Sequence, residues 1–261
     1  MPIRLANAPV SWGIYEFEGL EQKYPYTQVL DEIKETGYDG LELGPWGYLP
    51  TDPDVLRPQL ERRGLQLLSA YVPVNFVDPN AIEEAEWHAL KVGRLLASQG
   101  AVAIVLAADN GSDTELVKRA GQRSGSWLTD DQWDVFARGV NRVARRINDE
   151  LGLNVVFHHH CAGPVETPEE TRKLMDRADA DLVGLCLDTG HWEYGGGNAL
   201  GAVREYGERV RYLHLKDCDP NIRRQAIANQ WDYFAAPQAG VFCEWGKGSV
   251  DFPAILAELD P

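Results

Sequence analysis

The sequence predicts an α/β fold with a parallel sheet, closed as a (β/α)8 barrel rather than opened as a doubly wound sheet. Three observations lead there. Short apolar runs alternate with amphipathic stretches along most of the chain, the pattern of repeated strand–helix units. No GxGxxG follows the first run, and no GxxxxGK followed by Ser or Thr occurs anywhere, so the usual marks of a nucleotide-binding open sheet are missing. The 261 residues carry no linker-like break and suit one barrel domain over residues 1–261.

The elements follow in order. Ile3–Val10 reads as the first strand. Tyr26–Thr36 reads as a helix ending at Gly37, a residue suited to a helix C-cap. Gly40–Leu43 is the second strand and Asp54–Arg63 a helix stopped by Gly64. Leu65–Val74 is the third strand, and Asn80–Gln99 a long helix closed at Gly100. Ala101–Ala107 (AVAIVLA) is the fourth strand, nearly all apolar, as a strand buried on both faces should be. Thr129–Glu150 is a helix and Asn154–His160 the fifth strand. Thr167-Pro168-Glu169-Glu170 has capping-box spacing with proline at the first helical position, so a helix begins there. Leu182–Asp188 is the sixth strand, Ala199–Glu208 a helix and Val210–Lys216 the seventh strand. Pro220–Ala239 reads as an irregular, partly helical excursion, and Phe252–Leu259 as a final helix. The sequence reaches AELDP where an eighth strand would begin. That strand is expected to be absent and the barrel C-terminally short.

Composition narrows the function classes. Hydrophobic residues make up 44% and charged residues 25%, an ordinary globular balance, and the formal net charge is −15. Such a surface repels phosphate backbones and anionic membranes, so neither nucleic acid nor membrane is an expected partner. Cys161, Cys186, Cys218 and Cys243 form no CxxC pair and read as reduced, buried, apolar residues. No signal peptide is visible, and a cytoplasmic location is expected.

In a barrel of this kind the chemistry gathers at the C-terminal ends of the strands. The second strand carries Glu42. The fifth ends in His158-His159-His160, half of the chain's six histidines. The sixth ends in Asp188-Thr189-Gly190-His191 and the seventh in His214-Leu215-Lys216-Asp217. Buried charges there need partners or a metal. Alternation puts His158 and His160 on one face and His159 on the other; Cys186 pairs with Asp188 and His214 with Lys216 in the same way. Imidazole and carboxylate ligands suit zinc, manganese, cobalt or iron. His159 is expected in packing between barrel and helices. Lys216 has a second reading as a surface partner of Asp217, and Glu42 as a structural ion-pair partner. Trp12 and Trp46, on strand-end loops, suit an apolar wall for a sugar ring.

Together these segments resemble the xylose isomerase-like TIM barrels, the superfamily of sugar-phosphate isomerases and epimerases, and within it the inosose (2-keto-myo-inositol) dehydratases. The resemblance rests on NAPVSWG (Asn7–Gly13), GYDGLELGPWGYLP (Gly37–Pro50), HHHCAGPVETPEE (His158–Glu170), LVGLCLDTGHWEYGGG (Leu182–Gly197), VRYLHLKD (Val210–Asp217) and GVFCEWGKGSVDFPAIL (Gly240–Leu256). It implies one divalent metal, Mn2+, Co2+ or Zn2+, held at strand ends by His158, Asp188 and His214. His158 stands where the isomerases have glutamate, and their fourth ligand, a glutamate on the eighth strand, has no counterpart. It also implies proton abstraction beside a carbonyl, with His160, Lys216 and Glu42 as candidates for proton transfer. Trp12, Trp46, Glu166 and His191 are candidates for holding substrate, a sugar or cyclic polyol. Dehydration is the expected outcome. Isomerisation or epimerisation on the same scaffold and a non-catalytic sugar-binding relic are the alternatives. A homodimer is compatible with the family. DNA-repair relatives need more ligands and a basic face, which a net charge of −15 does not supply.

Overall fold

The structure is a computed structural model and describes residues 5–15 and 24–259. The elements begin with β1 (Ala6–Asn7), α1 (Tyr26–Glu35), β2 (Gly40–Glu42), α2 (Pro53–Glu61), β3 (Gln66–Ser69) and β4 (Tyr71–Val74). Next come α3 (Ile82–Ser98), β5 (Ala103–Ala108), α4 (Thr114–Lys118), α5 (Asp130–Leu151), β6 (Asn154–His158) and α6 (Pro168–Arg177). Then follow β7 (Val183–Asp188), α7 (Thr189–Tyr194), α8 (Ala199–Tyr206), β8 (Val210–His214) and β9 (Asp217–Cys218). The last are α9 (Pro220–Ala228), α10 (Ala235–Gln238), β10 (Phe242–Cys243) and α11 (Phe252–Leu259).

The described strands form a sheet in the order β1-β2-β3, a second in the order β4-β5-β6-β7-β8, and the antiparallel pair β9–β10. The β1–β2, β2–β3 and β7–β8 pairs are parallel. With β3 and β4 counted as one interrupted run, seven barrel positions are filled, as the sequence predicts. The barrel is not closed: among the described residues no strand follows β8 in its sheet.

Several boundaries differ from expectation. The first strand is only Ala6–Asn7, because Pro9 starts a 3-10 turn over Pro9–Trp12; Ile3 and Arg4 lie outside the described residues. Leu65–Val74 is two strands. Leu43 N bonds Ser69 O, whereas Val105 N bonds Ala70 O, so the run changes neighbours at Ala70. Asn154–His160 stops pairing at His158, and Val210–Lys216 stops at His214. The stretch after Asp188 is a helix, α7, and Pro220–Ala239 holds α9 and α10.

The chain divides by internal contacts into two compact units. The first comprises Met1–Val72, Glu86–Val105 and Arg145–Val155; the second comprises Pro73–Ala85, Leu106–Ala144 and Val156–Pro261. In the first, α1 buries Val29, Leu30 and Ile33 and α2 buries Leu56 and Leu60. Each such side chain contributes about 1.5–3 kcal/mol on leaving water. The buried Arg63 bonds Asp31, Thr27 O and Gln59 O, tying the end of α2 to α1.

In the second unit, Phe136 meets Trp133 and Phe157 edge to face and Phe76 at a tilt, with these centroids 5.3–5.8 Å apart. Leu185 and Leu187 of β7 pack with Val203 of α8 and Ile255 of α11. By alternation, Cys186 and Asp188 therefore point to the other side of the strand. A second apolar cluster joins Cys161, Ala162, Tyr194, Cys218, Ala226 and Val241. α6 starts as its capping box predicts, with Glu170 N donating to Thr167 Oγ1 and Thr167 N to the Glu170 carboxylate.

Candidate active site

The second unit gathers the strand-end histidines around Asp188. The β7–β8 register sets Asp188 beside His214, and β6 delivers His158. Asp188 is fully buried. Its Oδ2 lies 3.4 Å from His158 Nε2 and 3.8 Å from His214 Nδ1, and Lys216 Nζ pairs with the same oxygen. Its Oδ1 accepts His191 N at 2.9 Å and so caps α7. The surface reading of Lys216 is overturned. Asp217 is buried and accepts from the backbone amides of Cys218, Gly246, Gly248 and Val250, while Lys216 turns to Asp188. Gly190 lets the two segments meet, since a Cβ there would come 2.5 Å from Lys216 Cβ.

The charges follow from burial. Burial works to raise the Asp188 pKa, but Lys216, His191 and His158 outweigh it and hold the carboxyl well below its usual range. Burial pushes His158 and His191 well below their ordinary value, His159 down to about 3 and the partly exposed His160 down to about 4. All four are neutral at pH 7, the form that accepts protons or binds metal.

Each ring has a distinct place. His159 Nε2 accepts Asp188 N at 3.2 Å, and its ring meets Trp192 edge-on. This is the packing role the sequence suggests. His160 lies beyond the strand and turns so that Nδ1 is 2.5 Å from Cys161 O; a carbonyl only accepts, so Nδ1 carries the proton. The His160 ring stands 3.9 Å from His191 and 5.5 Å from Tyr233 by centroid, and His191 stands 4.8 Å from Phe242. Tyr233 comes from the segment that the sequence reads as irregular, where no period pointed to it, and Phe242 from β10 just beyond that segment.

Glu166 is fully buried. Its carboxylate accepts Gly121 N at 2.8 Å and Ala162 N at 2.9 Å, and Arg123 lies 3.7 Å away. Burial raises its pKa. Glu170 accepts Arg123 Nη2, Trp127 N, Glu166 N and Thr167 N. Three further candidates belong to the first unit. Glu42 is buried and accepts Ser69 Oγ at 2.8 Å. Trp12 Nε1 donates to Glu32, and Lys91 Nζ sits 4.5 Å from the Trp46 ring centroid.

Ligand atoms of His158, Cys186 and His214 all lie within 4.8 Å of one another. Sequence reading treats Cys186 as an inert buried residue, yet its place two before Asp188 on one strand already set it on the metal-side face. Two imidazoles, a carboxylate and a thiol are donors that fit a borderline divalent ion, and Lys216 shows that Asp188 already attracts a cation.

The profile of the xylose isomerase-like TIM barrel family matches residues 30–261. The chain belongs to that family. An inosose dehydratase of Geobacillus kaustophilus (strain HTA426) is 34% identical over 259 residues, covering 99% of this chain and 83% of the relative. AsbF of Bacillus anthracis, assigned to 3-DHS dehydration in petrobactin synthesis, has a TM-score of 0.71 at 13% identity, over 98% of this chain and 89% of that one. The IOLI protein, solved with a zinc atom, has a TM-score of 0.68 at 16% identity, over 98% and 84%. The two solved structures agree on the barrel fold. Membership at this identity and coverage makes the protein an enzyme, and the reading as a non-catalytic relic falls away. Among the described residues no helix is long and apolar enough to cross a membrane.

Proposed function

We propose that the protein is a metal-dependent hydro-lyase that removes water from a keto-inositol or a similar cyclic polyol ketone. The observation that carries this reading is the 34% identity to an inosose dehydratase across 99% of the chain. A divalent ion held by His158, Asp188 and His214 would draw electron density from the ketone oxygen and acidify the neighbouring C–H.

The chain's own groups supply the rest. His160 takes the proton from the carbon beside the ketone at Nε2, because Nδ1–H faces the Cys161 carbonyl. The electron pair of that C–H bond forms a C=C bond as the C–O bond one carbon further breaks. Lys216, an ammonium beside Asp188, protonates the departing hydroxyl, which leaves as water. His160 then passes its proton to solvent and Lys216 regains one. His191, Tyr233 and Phe242 form an aromatic wall that excludes water and takes the apolar face of a ring.

Mass spectrometry of the product from a keto-inositol tests the reaction class. The expected product is lighter by one water and absorbs in the ultraviolet as a conjugated ketone. A product of unchanged mass assigns isomerisation instead and removes the lyase reading. His160→Gln is expected to lower kcat by roughly 10²–10⁴-fold, the usual worth of a positioned general base. An unchanged kcat would take the base role from His160.

A further inference from the structure

We infer that Cys186 is a thiolate ligand of the metal centre and biases it toward zinc over manganese. The inference rests on the metal site proposed above and adds a fourth donor of a different chemical kind.

Three observations carry it. Cys186 is fully buried on the strand that ends in Asp188, and its apolar neighbours on that strand, Leu185 and Leu187, are the ones that face the helices. Cys186 thus shares the face of Asp188, not that of the core-forming leucines. Its Sγ lies within 4.8 Å of the ligand nitrogens of both His158 and His214. Asp188 Oδ2, 3.4 Å and 3.8 Å from nitrogens of the same two histidines, borders this trio of two nitrogens and one sulfur. A buried cysteine used only for packing needs no imidazole beside it, and this one has two.

The donor kind decides the metal. A thiol releases its proton to solvent when it binds a metal, and the thiolate favours zinc or cobalt(II) over harder ions such as manganese or magnesium. Thiolate and Asp188 carboxylate together match the ion's two positive charges, and the neutral imidazoles add none.

Cobalt(II) and zinc read the sulfur directly. The chelator-treated protein is titrated with cobalt(II), and bound cobalt and the near-ultraviolet spectrum are measured together. The expected result is one cobalt per chain with an intense thiolate-to-cobalt charge-transfer band, and bound cobalt without that band in Cys186→Ser. X-ray absorption on the wild-type zinc protein is expected to show one sulfur neighbour at about 2.3 Å. The zinc-to-manganese affinity ratio is expected to fall roughly tenfold or more in Cys186→Ser. A full equivalent of cobalt without the band, or zinc with no sulfur neighbour, overturns the Cys186 assignment and leaves the metal site standing. A band that survives in Cys186→Ser assigns the sulfur to another cysteine and overturns it too. No cobalt or zinc bound by the wild type overturns the metal site along with it.

Discussion

Asp188 divides its two carboxylate oxygens between two tasks. Oδ1 holds the first turn of α7 through His191 N, and Oδ2 faces Lys216, His158 and His214. Asp188→Asn keeps an oxygen for the helix cap and removes the charge. It is expected to cost about 1–3 kcal/mol of stability and to abolish zinc binding, read by urea unfolding and by metal content. Zinc retained at full stoichiometry would take Asp188 out of the ligand set. The histidines around it set the acid response of the metal-free protein. Their folded pKa values lie below the ordinary 6.5, so below that pH the unfolded chain binds protons that the folded chain refuses. Asp188, also held low, acts in the same direction at lower pH. Stability is therefore expected to fall as pH drops from about 6.5 toward 4, by up to about 1.4 kcal/mol per pH unit for each such histidine. Urea midpoints at pH 7.5 and 5 measure it, and equal midpoints would contradict the buried neutral histidines.

The segment between β6 and α6 is built around two buried carboxylates. Glu170 closes the capping box and also pairs with Arg123, both side chains being almost fully buried. Glu170→Ala removes the nearer carboxylate from the buried Arg123 guanidinium, leaving Glu166 3.7 Å away, and is expected to cost about 3–5 kcal/mol in urea unfolding. A loss below about 1 kcal/mol would mean that the pair is not formed in solution. This segment shows how far the sequence could be read. Thr167-Pro168-Glu169-Glu170 announced the helix start because a capping box is local chemistry. The second task of Glu170, and the use of Glu166 on the amide of Gly121, depend on residues about 45 positions away, which no local pattern reports. α7 was hidden for a similar reason. Gly190 lowers helix propensity, and the helix forms there because Asp188 caps it and Gly190 gives Lys216 room. The apolar runs of β5 and β7, and the histidines and aspartate at the ends of β6, β7 and β8, were legible, since alternation and strand-end placement follow from backbone geometry alone. Tyr233 was not, because an excursion with no period gives nothing to count.

Across the chain, seven strand positions, a strand-end donor cluster and a family match over residues 30–261 agree on one architecture. A metal that binds only the folded chain stabilises it by mass action, by about 4 kcal/mol at a thousandfold excess over Kd. Zinc is therefore expected to raise Tm in a concentration-dependent way in the wild type and not in His214→Ala. The most direct measurement is zinc content per chain after equilibrium dialysis, taken together with dehydration of a keto-inositol by the same samples. The account predicts one zinc per wild-type chain, with water loss that disappears under chelation and returns with zinc, and neither binding nor turnover in His214→Ala. Undiminished water loss from wild-type protein stripped of metal would contradict it.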